Sequence, residues 1–180
     1  MEFSILYAIQ RLHCPPLDSF ILLLTKVAGN YGEMWLVLGA VLLIFKKTRK
    51  CGFAMFLSYG IVYLVGQYGL KDLIARPRPC HIDQTVELLI KRPSSYSCPS
   101  THSAWAFAAA TTVFLNHKKA GIAVYVLAAL IAFSRMYLFV HFPTDVLFGA
   151  VLGVLAAFAA VALVRFFARK LPKKQAGSAQ

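Results

Sequence analysis

From Val146 to Val164 the chain contains no charged or hydrogen-bonding side chain. In a bilayer the backbone must satisfy its own polar groups, so an isolated apolar run of this length can cross only as a helix. Similar runs bounded by polar residues recur upstream and give six expected membrane helices, at 17–29, 31–46, 52–75, 100–116, 120–140 and 143–168. The first two are the least regular. Leu17 to Ala28 falls short of the roughly 20 residues of a straight crossing, Lys26 interrupts it, and Glu33 lies near the start of the second. A segment of that kind is tilted, part-buried or extended at one end. At 59% hydrophobic and 14% charged residues, with a mean hydropathy of +0.65, the chain is too apolar for a water-soluble domain of 180 residues. The expected fold is all-α: a six-helix integral membrane bundle over 17–169, after an interfacial segment at 1–16 and before a disordered basic and polar tail at 170–180.

Met1 to His13 is mildly amphipathic, with Phe3, Ile5, Leu6, Ile9 and Leu12 opposed by Glu2, Gln10 and Arg11, which suits a helix on the membrane surface before Pro15 and Pro16 turn the chain inward. No cleavable signal peptide is expected, since a charged start, apolar middle and small-residue cleavage site do not follow one another. The net charge of +12 resides in short clusters beside apolar runs, without a continuous basic face, and points to a membrane surface and away from nucleic acid. Lys46, Lys47, Arg49 and Lys50, then Lys118 and Lys119, then Arg169, Lys170, Lys173 and Lys174 fall on one face after six crossings, and the positive-inside rule makes that face cytoplasmic.

Three polar stretches then share the outer face: KDLIARPRP (Lys71 to Pro79), PSTH (Pro99 to His102) and SRMYLFVHFPTD (Ser134 to Asp145). Ionisable residues at a membrane edge are costly to keep and default to a functional reading. Lys71, Arg78 and Arg135 supply a point charge and two planar forks for phosphate oxygens. Any one of them alone is an ordinary interfacial anchor. Ser100 or Thr101 can cap the fourth helix and leave its N-terminal dipole free for a phosphate, with His102 in the first turn as a proton donor. Pro143 fits the first position of the sixth helix and Asp145 its first turn, from which the carboxylate can orient His141 for attack. For each pair alone, a capping residue beside an incidental histidine is an adequate account. The recurrence of all three stretches on one face favours phosphate chemistry.

These stretches resemble, in order and spacing, the K-x6-RP, PSGH and SR-x5-H-x3-D signatures of the phosphatidic acid phosphatase type 2 superfamily, and the surrounding helices resemble its six-span membrane members such as phosphatidylglycerophosphatase B-like and undecaprenyl-diphosphatase-like enzymes. The resemblance implies that His141 forms a phosphohistidine, that Asp145 orients it and that His102 protonates the leaving alcohol. It also implies that Lys71, Arg78, Ser100, Arg135 and the backbone at Thr101 hold the phosphate. Thr101 replaces the signature's glycine, and a side chain there bears on the close approach of backbone to phosphate.

The function expected is hydrolysis, at the outer leaflet, of a lipid phosphate or diphosphate: undecaprenyl diphosphate, phosphatidylglycerophosphate or phosphatidic acid. A phosphorylated-lipid transporter or binding protein without turnover is the alternative. No cofactor and no metal are expected, because the carboxylates do not cluster and Cys14, Cys51, Cys80 and Cys98 form no C-x-x-C pair. Cys80 and Cys98 bracket the loop between the third and fourth helices; a disulfide there and two unpaired thiols are both compatible with the spacing.

Overall fold

The computed structural model describes residues 1–170, so the expected disorder of the tail lies outside the described residues, apart from Lys170, which is helical. Helices occupy α1 (Glu2–Gln10), α2 (Pro15–Ala28), α3 (Glu33–Ile44) and α4 (Arg49–Ile61), the last continued by a π-helical segment (Val62–Leu70) and α5 (Lys71–Ile74). After the short α6 (Pro79–Ile82) and a long loop come α7 (Thr101–Asn116), α8 (Lys118–Tyr137) and α9 (Pro143–Lys170), and no strand occurs among the described residues.

The core is organised around α7, which packs against α9, α8 and α4. Its small residues explain this position. Ala104, Ala106, Ala108, Ala109 and Ala110 are all buried, and they let neighbouring backbones approach closely. Gly149 and Gly153 of α9 complete the contact: a Cβ at Gly149 would land on the Ser100 carbonyl oxygen, and one at Gly153 on that of Ala104.

Three helical stretches are long and apolar enough to span a membrane individually, namely Arg49–Ile82, Lys118–Tyr137 and Pro143–Lys170, while α2 and α3 form a pair bent by 54°. Both ends of α2 are bonded to the same end of the bundle. Asp18 accepts a hydrogen bond from the Tyr137 hydroxyl at 2.5 Å, and the Gly29 carbonyl is 3.0 Å from His102 Nε2. The expected helices at 17–29 and 31–46 therefore exist, but as a bent pair in which α2 stays near one end, the consequence of its short apolar length. The 100–116 helix is also shorter than a full crossing, with 16 residues.

At the opposite end Cys51 Sγ lies 3.8 Å from the Thr112 carbonyl oxygen, and Arg165 donates to the Leu115 carbonyl at 2.8 Å. These contacts gather the basic clusters at 46–50, 118–119 and 169–170 at one end of the bundle and leave the three polar stretches at the other. A second apolar cluster lies at that polar end. Leu6 and Ile9 of α1 pack with Tyr137, Leu138, Phe139, Val140 and Phe142, so the amphipathic face of α1 covers the loop that carries His141. All four cysteines are free thiols; Cys80 and Cys98 are both buried and unbridged.

Candidate active site

The end of α5 decides where the arginines go. Ala75 takes a left-handed conformation (φ 47°), as helix C-caps commonly do, and releases residues 76–78 as extended chain. Ser97 fixes that chain by donating its N–H (2.9 Å) and hydroxyl (3.1 Å) to the Arg76 carbonyl. Arg78 then turns into the bundle. It donates to the Ser95 carbonyl (2.7 Å), the Ser95 hydroxyl (3.0 Å) and the Val140 carbonyl (2.9 Å), and its Nη1 is 3.1 Å from His141 Nε2.

Lys71, Arg78, Thr101, His102, Arg135 and His141 line one cavity of about 630 Å³, with Thr25, Gln67 and the 90–95 loop completing its wall. Lys71 Nζ donates to Gln67 Oε1 at 2.9 Å, and Arg135 donates to the hydroxyls of Thr25 (2.5 Å) and Ser134 (3.0 and 2.8 Å). Lys71, Arg78 and Arg135 are each at most 4% exposed, yet among the described residues none has a carboxylate within 4.0 Å. Buried charges are ordinarily paired. Three cations converging without a counter-charge make a site for an anion.

Ser100 is the N-cap residue of α7, but its side chain caps nothing; its hydroxyl accepts from Ser103 at 3.0 Å, and the residue lies behind the cavity wall. The first turn of α7 is therefore free of side-chain caps. Thr101 Oγ1 donates to Gln67 Oε1 at 3.3 Å, which ties the side chain that replaces glycine to the π-helical segment.

Asp145 is fully buried in the first turn of α9, also behind the wall. Its Oδ2 accepts the Phe142 N–H at 2.9 Å and stands 3.8 Å from His141 Nδ1, beyond hydrogen-bond reach. His141 Nδ1 is buried and unpartnered. A guanidinium can only donate, so the Arg78 contact assigns Nε2 as the acceptor and puts the ring proton on Nδ1, facing Asp145. Burial pushes the His141 imidazole down to about 3; Arg78 and Lys71 act in the same direction, and Asp145 opposes them. The ring is neutral at physiological pH, with an unshared pair on Nε2. Such an arrangement suits nucleophilic attack on a bound anion.

Gln67, Thr25, Ser95 and Arg76 belong to this neighbourhood although sequence reasoning did not single them out for it. Gln67 lies four residues before Lys71 inside an otherwise apolar run, and that polar interruption is the one signal it leaves. Arg76 does not line the cavity; it pairs with Asp145 instead, at 2.7 Å. Among the described residues no three His, Cys, Asp or Glu side chains gather as a metal site would require.

The PAP2 superfamily pattern matches residues 48–169. Over 146 residues the chain is 34% identical to an undecaprenyl-diphosphatase of Sulfolobus acidocaldarius, covering 81% of this chain and 69% of that protein. It is 36% identical over 148 residues to phosphatidylglycerophosphatase B of Bacillus subtilis, covering 76% and 67%. The crystal structure of the transmembrane PAP2-type phosphatidylglycerolphosphate phosphatase from Bacillus subtilis superposes with a TM-score of 0.72 at 30% identity, covering 96% of this chain and 86% of that one. That of Aquifex aeolicus LpxE gives 0.71 at 28% identity, covering 89% and 94%.

Proposed function

This chain belongs to the PAP2 superfamily, a family of phosphatases, and from that membership together with its cation-lined cavity we propose that it hydrolyses lipid phosphates or diphosphates at the outer leaflet through a phosphohistidine. The observation that carries the reading is the set of three buried, unpaired cations facing two histidines. A phosphate group carries up to two negative charges, and its transfer is catalysed mainly by positioning and charge stabilisation on the equatorial oxygens.

In this reading Lys71, Arg78 and Arg135 bind the phosphate oxygens, joined by the uncapped N–H groups at Thr101, and Ser100 supports that turn from behind. The incoming phosphate takes over the Arg78 donors and uncovers His141 Nε2. Nε2 attacks phosphorus, the bond to the leaving oxygen breaks, and the ring becomes positively charged. Asp145 stabilises that charge once a small ring movement closes the 3.8 Å gap to Nδ1. His102 donates Nε2–H to the Gly29 carbonyl, which leaves Nδ1 to exchange protons with the substrate. Negative charge beside the ring favours its doubly protonated form, which gives a proton to the leaving oxygen and later takes one from water as the N–P bond is hydrolysed.

Neither step calls on a metal. The lipid chain remains among the helices while the head group enters the cavity. The names of the relatives support undecaprenyl diphosphate and phosphatidylglycerophosphate as substrates, with phosphatidic acid as the simplest monoester. The test is phosphate release in detergent from these three lipids and diacylglycerol diphosphate, with and without EDTA. Chelator-resistant release is expected. Activity lost to EDTA and restored by a divalent ion overturns the metal-free route, and binding without release favours a phosphorylated-lipid carrier.

A further inference from the structure

Arg76 stands two residues before Arg78 but serves a different group. Its Nη1 donates to Asp145 Oδ1 at 2.7 Å and to the Thr144 hydroxyl at 2.7 Å, its Nη2 donates to Glu2 Oε2 at 2.6 Å, and its guanidinium carbon lies 4.1 Å over the Phe142 ring. Glu2, at the start of α1, closes the circuit. Its Oε1 accepts the Thr144 hydroxyl at 2.6 Å and the Thr144 N–H at 3.3 Å. The buried Asp145 carboxylate is thus held from two sides, by Arg76 at Oδ1 and by the Phe142 N–H at Oδ2, and the oxygen bonded to Phe142 is the one that faces His141.

We infer that Arg76 is a positioning residue for the reaction, acting through Asp145, and that Glu2 holds Arg76 in place, so that the N-terminal helix is a working part of the active centre. The inference rests on the proposed roles of Asp145 and His141. A fully buried carboxylate keeps its charge only beside a compensating cation, and it can stabilise a phosphohistidine only while charged and correctly turned. Lys71, Arg78 and Arg135 all face the cavity, where the substrate claims them. Arg76 lies outside the cavity and stays with Asp145 throughout turnover. The Phe142 ring and the Thr144 hydroxyl limit the guanidinium to one orientation, and Glu2 reaches it only because α1 packs over the 137–142 loop.

The test uses full-length protein in detergent, with the best substrate of the phosphate-release panel, and compares Arg76→Ala, Arg76→Lys, Glu2→Gln, the Glu2→Gln/Arg76→Ala double variant and Asp145→Asn. A misplaced catalytic group costs on the order of 10- to 100-fold in rate, so Arg76→Ala is expected to lower kcat by that amount. KM is expected to stay within about threefold, because the phosphate ligands are untouched. Arg76→Lys restores part of kcat. Glu2→Gln gives a smaller loss that vanishes in the Arg76→Ala background, as two residues acting in series require. Parental kcat in Arg76→Ala alongside an inactive Asp145→Asn overturns the inference and leaves the reaction scheme standing, whereas full activity in Asp145→Asn overturns the scheme itself. A change in KM alone also overturns it, by placing Arg76 among the phosphate ligands. Should Arg76→Ala fail to fold, parental kcat in both Arg76→Lys and Glu2→Gln is decisive against it.

Discussion

His141 illustrates how burial prepares a side chain for its work. Desolvation pushes its pKa down to about 3, so in the proposed scheme it needs no deprotonation before attack, and its unpartnered Nδ1–H is free to turn to Asp145. Brief exposure to labelled substrate followed by acid-free quenching is expected to leave acid-labile, alkali-stable phosphate on His141 and none in His141→Ala; label on another residue removes the assignment. A second expectation follows from linkage. The folded pKa lies below the ordinary value of 6.5, so the folded state resists a proton that the unfolded state accepts, and the stability contributed above pH 6.5 is lost as pH falls from there toward 3. In His141→Gln the melting temperature is therefore expected to fall less steeply over that window than in the parent. That Lys71, Arg78, His102, Arg135 and His141 would meet at one cavity, with Asp145 behind it, was legible because each occupies a fixed offset in a motif. Arg76 was not. The RPRP segment presents two arginines each followed by proline, and what separates them is a carboxylate 74 positions away, at Glu2.

Among the helices, α7 and α9 form the most extensive pairing, and it reaches the candidate active site directly. Gly149 touches the carbonyl of Ser100, and the Ser100 N–H in turn donates to the Asp145 carbonyl at 3.0 Å. Gly149→Ala must push the two helix starts apart. Overpacking of this kind typically costs about 1–3 kcal/mol. Here it is also expected to lower activity more than Gly153→Ala, which sits one turn further from Asp145 and so disturbs mainly stability; thermal melting and phosphate release on the two variants separate the effects. Apolar length and capping residues placed every one of the six expected helices within a few residues. The π-helical stretch was not visible, since a change from i−4 to i−5 bonding leaves the apolar run unaltered, yet it sets the direction of Gln67 and the start of Lys71. The packing of α1 was also hidden: an amphipathic stripe fits a membrane surface and a protein surface equally well, and Phe139 and Phe142 supply the latter.

For the molecule as a whole, orientation does not depend on how α2 runs. The three basic clusters all follow it in sequence and meet at one end, so α2 affects only the side on which the N-terminus lies. In a Cys14→Ser background, single cysteines at Thr48 and Lys119 are expected to resist an impermeant thiol reagent in intact cells, while one at Gln84 reacts; the reverse pattern puts the cavity in the cytoplasm. Composition fixed the solvent and the positive-inside count fixed the sidedness expected, but the crossing count required three dimensions, because a 14-residue helix serves equally as a short span or as a lintel. The three uncompensated cations have a further consequence. The folded chain holds like charges together that the unfolded chain disperses, so on the proposed function the idle enzyme is its own least stable form and the phosphate product acts as a folding ligand. A ligand at 100 times its dissociation constant adds about 2.7 kcal/mol. Inorganic phosphate is accordingly expected to raise the melting temperature in proportion to the logarithm of its concentration, an effect that chloride at equal ionic strength does not reproduce. An enzyme built in this way is protected by its turnover and becomes vulnerable when its substrate runs out.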